Sequence, residues 1–114
     1  MSVNPYETYR QQSILTMTQG EMLNKLYEEL VKQLSYAQIH IEQKNLSKTN
    51  DALQRAQKIL NHLKSTLNYE YEISNSLASL YDFFLQQTVA ANIKKSSQPI
   101  GEILPMIQEL KDTF

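Results

Sequence analysis

Two histidines and a pair of adjacent glutamates are the side chains of this sequence whose types could do chemistry. A metal or acid–base site on a helix needs partners three or four residues apart, where side chains share one face. Neither His40 nor His62 is followed by a histidine or a carboxylate at that spacing. Glu28 and Glu29 are neighbours, so they point to different sides of a helix. The pattern predicts no enzyme active site, no metal and no cofactor.

Other reaction motifs do not occur in the sequence. It has no Gly-rich phosphate loop, HExxH or GxSxG, and without cysteine it can form no disulfide or thiolate site. The 11 basic and 12 acidic residues nearly cancel, which argues against nucleic acid or an anionic membrane as the main partner. No apolar run approaches the ~20 residues that span a bilayer, and the polar N-terminus does not fit a signal peptide. We therefore expect a cytoplasmic protein with no nucleic-acid partner and no membrane insertion.

Tyrosine is the prominent aromatic, since the chain has seven Tyr, three Phe and no Trp. Tyr27, Tyr81 and Phe84 fall on helical seams, where aromatics usually belong to the core. Tyr6 and Tyr9 lie three residues apart in the least regular part of the chain, where the fold does not need them. Tyr combines an apolar ring with a polar tip, which suits interfaces. A partner contact and a plain structural role stay equally open for this pair.

The elements that must position these residues are predicted to be helices. Between Gly20 and Pro99 there is neither Gly nor Pro, which is too few turn residues for a β-rich fold. Thr18 and Glu21 fit a capping box that starts a first helix, and this helix should end near Lys44. Apolar residues recur along it every three or four positions, as a buried stripe requires: Leu23, Tyr27, Leu30, Leu34, Ala37 and Ile41.

Three further helices follow from the same kind of spacing. Ser47 is the predicted N-cap of the second helix, and the third runs roughly from Glu70 to Asn92. The fourth begins at Ser97 or Gln98, and Pro105 should kink it or make it begin later. The third helix carries more apolar surface than one neighbour could cover.

Three long helices and a shorter fourth, joined by short polar loops, predict an all-α fold. The expected architecture is an antiparallel up-down four-helix bundle over residues 18–114. A short N-terminal arm or helix over residues 1–17 precedes it. A chain of this length buries about two-thirds of the surface that its unfolded form exposes, which is enough for one core.

Six stretches spread over the chain form a further pattern. They are Asn4-Pro5-Tyr6-x-x-Tyr9, Leu15-Thr16-Met17-Thr18-Gln19-Gly20-Glu21-x-Leu23 with Leu26-Tyr27-Glu28, Arg55-Ala56-Gln57-x-Ile59-Leu60, Leu80-Tyr81-Asp82-Phe83-Phe84, Ala91-Asn92, and Leu110-Lys111-Asp112-Thr113-Phe114. In this order and spacing they resemble the flagellin-specific export chaperone family, FliS. Each stretch alone is weak evidence, but together they are specific and cover almost the whole chain.

The sequence departs from that family's pattern at three places. Thr16-Met17-Thr18-Gln19 stands where the family usually has Thr-Ala-Ser-Pro, although Thr18 can still cap a helix. Phe114 stands where the family often has Trp, and Pro105 is unusual within the last helix. None of these departures touches the pattern of the first three helices.

The resemblance implies a cytosolic bundle that binds the C-terminal segment of flagellin, prevents its premature polymerisation and delivers it to the flagellar type III export gate. The implied partners are therefore flagellin and an export-gate protein. The second and third helices carry more apolar seams than their packing requires, so we expect the flagellin groove to lie along them. Its candidate residues, for each of which a core position is an equal alternative, are Ala56, Leu60, Leu63, Leu77, Tyr81 and Leu85.

The N-terminal arm is the second expected site. By resemblance, Tyr6 and Tyr9 match the family's paired large residues for docking to the gate. The arm with Ile14 and Leu15 would cover the empty groove until flagellin displaces it. The alternative function is a non-enzymatic helical dimerisation or adaptor module, which explains the apolar stripes but not the tyrosine pair. Monomer and swapped homodimer stay open for the free chain.

Overall fold

Four helices make up the part of the protein that the computed structural model describes, residues 19–113. They are α1 (Gln19–Glu42), α2 (Leu46–Ser65), α3 (Ile73–Lys94) and α4 (Gln98–Thr113). Consecutive helices pack against one another, and α4 returns to pack against α1. The predicted all-α, antiparallel up-down four-helix bundle is confirmed. The boundary between arm and bundle stays a prediction, because residues 1–18 lie outside the described part.

The turn between α1 and α2 is closed by backbone hydrogen bonds. Lys44 has the left-handed conformation, with φ 57°. Its N–H donates to the Ile41 carbonyl at 3.0 Å, and the Asn45 N–H donates to the His40 carbonyl at 2.9 Å. This is the Schellman arrangement, which usually places Gly at the left-handed position. Here a lysine takes that position.

α3 also ends at a lysine with a left-handed backbone, Lys95, whose φ is 49°. The Ser96 N–H donates to the Ala91 carbonyl at 3.1 Å. The Lys95 ammonium donates to the Asn92 carbonyl at 2.7 Å, and the Asn92 side-chain amide donates to Asn50 Oδ1 of α2 at 2.9 Å. These contacts tie the end of α3 to α2.

Asn45, and not the predicted Ser47, caps α2. The Asn45 side-chain oxygen accepts a hydrogen bond from the Lys48 N–H at 3.1 Å, as an N-cap does. The buried Thr49 donates its hydroxyl to the Asn45 carbonyl at 2.8 Å. The Ser47 prediction was wrong because the Schellman turn at Lys44 ends α1 so tightly that α2 starts directly after Asn45.

The loop between α2 and α3 is built around Asn68. Its side-chain oxygen accepts from the Glu70 N–H at 3.0 Å. Its carbonyl accepts from the Tyr71 N–H at 3.1 Å and from the buried Ser74 hydroxyl at 2.5 Å. Because this turn occupies residues 68–72, α3 begins at Ile73, three residues later than the sequence indicated.

α4 runs through Pro105. It begins at Gln98, where the Ser97 carbonyl accepts from the Gly101 N–H at 2.9 Å, so the expectation of a later start was wrong. Proline has no N–H, which removes the hydrogen bond to the Gly101 carbonyl one turn earlier. Buried isoleucines on both sides of Pro105 hold the helix against the bundle despite this loss.

The hydrophobic core lies inside the ring of helices and takes side chains from all four. Burying one such Leu or Ile fully stabilises the fold by about 1.5–3 kcal/mol relative to its exposure. The buried apolar residues are Tyr27, Leu30, Leu34, Ala37, Ala52, Leu53, Ala56, Leu60, Leu63, Tyr81, Phe84, Ala91, Ile100, Ile103 and Ile107.

A tyrosine pair places a polar contact in this core. The hydroxyls of Tyr27 and Tyr81 hydrogen bond to each other, and the residues are 0% and 2% exposed. Burial raises the pKa of both phenols; the shared hydrogen bond raises the pKa of Tyr27 further and opposes the rise for Tyr81. Both phenols therefore stay neutral at physiological pH, and the predicted core positions of Tyr27, Tyr81 and Phe84 are confirmed.

Candidate functional site

The residues predicted to line a groove divide between the core and its edge. Leu77 and Leu85 are partly buried against the core. The other four have almost no accessible surface in this structure: Ala56, Leu60, Leu63 and Tyr81. These four side chains pack in the core, on helices α2 and α3 that contact each other, which is the alternative that the sequence left open for each of them. Contact between these residues and a client stays a prediction.

Accessible apolar surface on α3 lies beside that seam. Val89 is 39% and Ile93 is 78% exposed, and with Leu85 they recur at every fourth residue. Together with Gln86 and Ala90 they line an open hollow of about 410 Å³. We call these five residues the α3 face. Contiguous exposed apolar surface is a common feature of interaction sites in soluble proteins.

The other side of α3 is anchored, so the α3 face has a fixed position. Phe84 and Thr88 are buried, and the Thr88 hydroxyl donates to the Phe84 carbonyl at 2.7 Å. On α2, the Lys64 ammonium donates to the Asp82 carboxylate of α3 at 2.7 Å, which raises the pKa of Lys64. The α3 face therefore belongs to a helix whose opposite side is already packed against the bundle.

The groove prediction includes neither Val89 nor Ile93. The four-residue spacing of Leu85, Val89 and Ile93 was the signal that could have found them. Spacing alone does not say which of two adjacent stripes faces a neighbouring helix, so it cannot separate the buried stripe from the exposed one.

The remaining candidates from the sequence are the two histidines and the carboxylates. Within residues 19–113, no group of three or more His, Asp or Glu side chains is arranged to hold a metal ion. His62 is exposed and His40 is half-buried. Helices α1–α4 are all too short or too polar to cross a membrane.

The arm residues Tyr6, Tyr9, Ile14 and Leu15 lie outside the described residues. Their expected contacts with the export gate and with the groove stay predictions.

Comparison with known proteins gives a consistent family. The family model of Flagellar protein FliS matches residues 2–114. The flagellar secretion chaperone FliS of Bacillus subtilis (strain 168) is 33% identical over 111 residues, covering 97% of this chain and 84% of the relative. That of Salmonella typhimurium (strain LT2) is 24% identical over 105 residues, covering 90% of this chain and 78% of the relative.

A solved structure has the same fold. The crystal structure of a bacterial flagellar chaperone matches with a TM-score of 0.80, over 95% of this chain and 89% of that chain, at 22% identity. Since the family model spans nearly the whole sequence, this chain belongs to the FliS family of flagellar proteins.

Proposed function

We propose that this protein is a cytoplasmic export chaperone for flagellin. In this proposal it binds the disordered C-terminal segment of flagellin, prevents premature polymerisation and delivers the segment to the flagellar type III export gate. Family membership supports the role of a flagellar secretion chaperone. The exposed α3 face is the single observation that supports binding of an apolar client segment.

The spacing of the α3 face suits a client that becomes helical. Leu85, Val89 and Ile93 form a row of side chains four residues apart, and such rows fit into the grooves of a second helix. Helical segments dock through apolar residues at i, i+3 and i+4. Ordering a disordered client costs about 2–5 kcal/mol, which offsets part of the interaction energy. The resulting complex would hold the client and still release it.

The residues first expected in the groove take two different roles in this proposal. Leu85 belongs to the α3 face, and Leu77 lies about two turns earlier on the same helix, so both can meet a client directly. The buried four would act indirectly, by fixing the position of α3: Ala56, Leu60, Leu63 and Tyr81.

Titration calorimetry with a peptide of the flagellin C-terminal segment tests the client. Val89→Ser and Ile93→Ser should each weaken binding about tenfold or more, since burial of one such side chain is worth about 1.5–3 kcal/mol. Both side chains are exposed, so the folded bundle should persist. Ile73→Ser is the matched control, because Ile73 is an equally exposed isoleucine (66%) at the other end of α3.

The outcomes separate the possible explanations. Absence of heat with the unaltered chain would overturn flagellin as the client. If the chain then sedimented as a dimer, the helical dimerisation module would take its place. Equal losses for Ile73→Ser and Ile93→Ser would keep flagellin as the client but remove the α3 face as its site.

The arm is proposed to contact the export gate. A Tyr6→Ala, Tyr9→Ala double variant should keep its affinity for the flagellin peptide and lose binding to the purified gate protein. Unchanged gate affinity would remove this part of the proposal. Ile14→Ser with Leu15→Ser should strengthen flagellin binding if these residues compete for the client's site, and an unchanged affinity would exclude that competition.

A further inference from the structure

A second open cavity lies between α1 and α2, away from the α3 face. Its volume is about 320 Å³. We call it the α1–α2 cleft. Its walls carry mostly polar and charged side chains, in contrast to the α3 face: Gln33, Tyr36, His40, Lys48, Asp51, Ala52 and Arg55.

Two buried polar atoms of the cleft residues have no hydrogen-bond partner. Gln33 is 6% exposed, and its Nε2 donates to the Glu29 carboxylate at 3.1 Å, but its Oε1 is buried and unpaired. The Nδ1 of His40 is also buried and unpaired. A buried acceptor without a donor destabilises the fold, so native proteins keep few of them and usually for a reason. Both atoms lie beneath the surface of residues that line one cleft, which points to a ligand that satisfies them when these side chains turn toward it.

Two cations of the cleft also have no carboxylate partner. Asp51 lies three residues after Lys48 and four before Arg55, a spacing at which helical ion pairs form. Within residues 19–113, the ion pairs of the structure involve neither cation. Lys48 and Arg55 are seven residues apart on α2, which at 1.5 Å per residue separates their backbones by about 10 Å.

The antiparallel register places one unpaired acceptor near each cation. α1 and α2 are joined by the short turn at residues 43–45, and His40 and Lys48 are each four residues from its centre at Lys44. Gln33 and Arg55 are each eleven residues from it. Each end of the cleft therefore combines one cation with one buried acceptor, and Asp51 lies between the ends.

We propose that the α1–α2 cleft binds an extended acidic peptide segment of a partner protein. A segment in the polyproline II conformation has three residues per turn and rises about 3.1 Å per residue, so carboxylates three residues apart lie on one face and span about 9 Å. One carboxylate would pair with Lys48 and the other with Arg55. Backbone N–H groups of the segment would donate to Gln33 Oε1 and His40 Nδ1 after these side chains turn the two buried atoms toward the cleft, and a hydroxyl between the carboxylates would donate to Asp51. This proposal uses no residue of the α3 face and does not depend on flagellin as the client.

Peptide titration followed by amide NMR tests it. The probe is the blocked tetrapeptide acetyl-Glu-Ser-Gly-Glu-amide. Its controls are the neutral analogue acetyl-Gln-Ser-Gly-Gln-amide and acetyl-Glu-Glu-Ser-Gly-amide, in which the carboxylates are adjacent. The probe should give saturable shifts at the α1–α2 cleft at millimolar concentration, and both controls should bind about threefold or more weakly. Absence of saturable shifts, meaning that water alone fills the cleft, would overturn the proposal, as would equal binding of the three peptides.

Two charge-removing variants distinguish a specific contact between Arg55 and the probe from a general electrostatic attraction to the protein. Arg55→Gln should weaken the probe about threefold or more, whereas Lys94→Gln removes the same charge from α3 and should leave the affinity unchanged. Equal effects would show a general attraction of the acidic peptide and overturn the site.

The Gln33→Leu variant distinguishes a ligand contact of Gln33 from a purely structural role, because affinity for the probe changes only in the first case. The substitution removes the unpaired buried oxygen, so the unfolding temperature should rise, and it removes a contact, so the probe should bind about threefold or more weakly. A higher unfolding temperature with unchanged affinity would show that the oxygen makes no ligand contact, and the proposed binding mode would fail.

Discussion

Tyr27 of α1 and Tyr81 of α3 hydrogen bond hydroxyl to hydroxyl between two helices that are diagonal, not adjacent, in the ring. Apolar packing tolerates small rotations of a helix, whereas a hydrogen bond weakens steeply when its angle changes. Because the contact is buried, the surrounding medium screens it little. The pair therefore specifies how α1 and α3 are rotated relative to each other.

A double-mutant cycle measures this pair. Tyr81→Phe should lower the free energy of unfolding by about 1–2 kcal/mol, because Tyr27 loses that partner inside the core. Adding Tyr27→Phe should cost less than the sum of the single changes, with a coupling of about 1 kcal/mol. Urea unfolding gives the values. Tyr36→Phe, at an exposed tyrosine of α1, should change stability by no more than about 0.5 kcal/mol. Strict additivity would contradict the predicted coupling.

The same pair predicts alkaline instability. Above the ordinary tyrosine pKa of about 10, the unfolded chain releases phenolic protons that Tyr27 and Tyr81 retain in the fold, because their pKa values are raised. The contribution of the pair is complete below pH 10, and at higher pH stability falls by up to about 1.4 kcal/mol per pH unit for each tyrosine. Unfolding measured from neutral pH to above pH 10 should show this slope, and the double phenylalanine variant should flatten it. An equally steep loss in that variant would assign the effect to other groups.

The two candidate caps of α2, Asn45 and Ser47, are predicted to contribute unequally to the stability of the bundle. Asn45→Ala should destabilise the bundle by about 1 kcal/mol, because the Lys48 N–H loses its acceptor. Ser47→Ala should change stability by no more than about 0.5 kcal/mol, since Ser47 is exposed within the first turn. Thermal unfolding of the two variants decides between them, and a larger loss for Ser47→Ala would restore Ser47 as the cap.

The helices could be predicted from the sequence because burial imposes their period directly. Leu30, Leu34 and Ala37 are completely buried, and they recur at the spacing of three or four residues that predicts the first helix. The helix starts were less predictable, since they depend on which side chain reaches an unpaired N–H. Asn45 and Ser47 are both good capping residues by type, and only the turn at Lys44 selects Asn45.

The candidate sites were harder to predict for a different reason. Leu60 and Ile93 are both apolar residues on amphipathic helices, yet one is completely buried and the other is 78% exposed. Leu60 lies on a stripe that faces a neighbouring helix, and Ile93 does not. The packing of all four helices together decides which stripe faces a neighbour. The unpaired oxygen of Gln33 could not be predicted at all, because it depends on which hydrogen bonds the packed structure leaves unmade.

The two lysines with left-handed backbones are expected to respond differently to glycine. Lys44→Gly should raise stability by about 0.5 kcal/mol, since relief of about 1–2 kcal/mol of backbone strain exceeds the entropy cost of glycine. Lys95→Gly should gain less or lose stability, because it also removes the ammonium bond to Asn92. Thermal unfolding compares the pair. A greater gain at Lys95 would mean that its side chain contributes nothing.

The connections centred on Lys44, Asn68 and Lys95 share one feature. Each is closed by hydrogen bonds of the main chain, and none contains glycine or proline. If the proposed client binds to the α3 face, we expect the client and not these bonded connections to change conformation. Release of that client would then need no rearrangement of the bundle, and any factor that stabilises the free client would favour it.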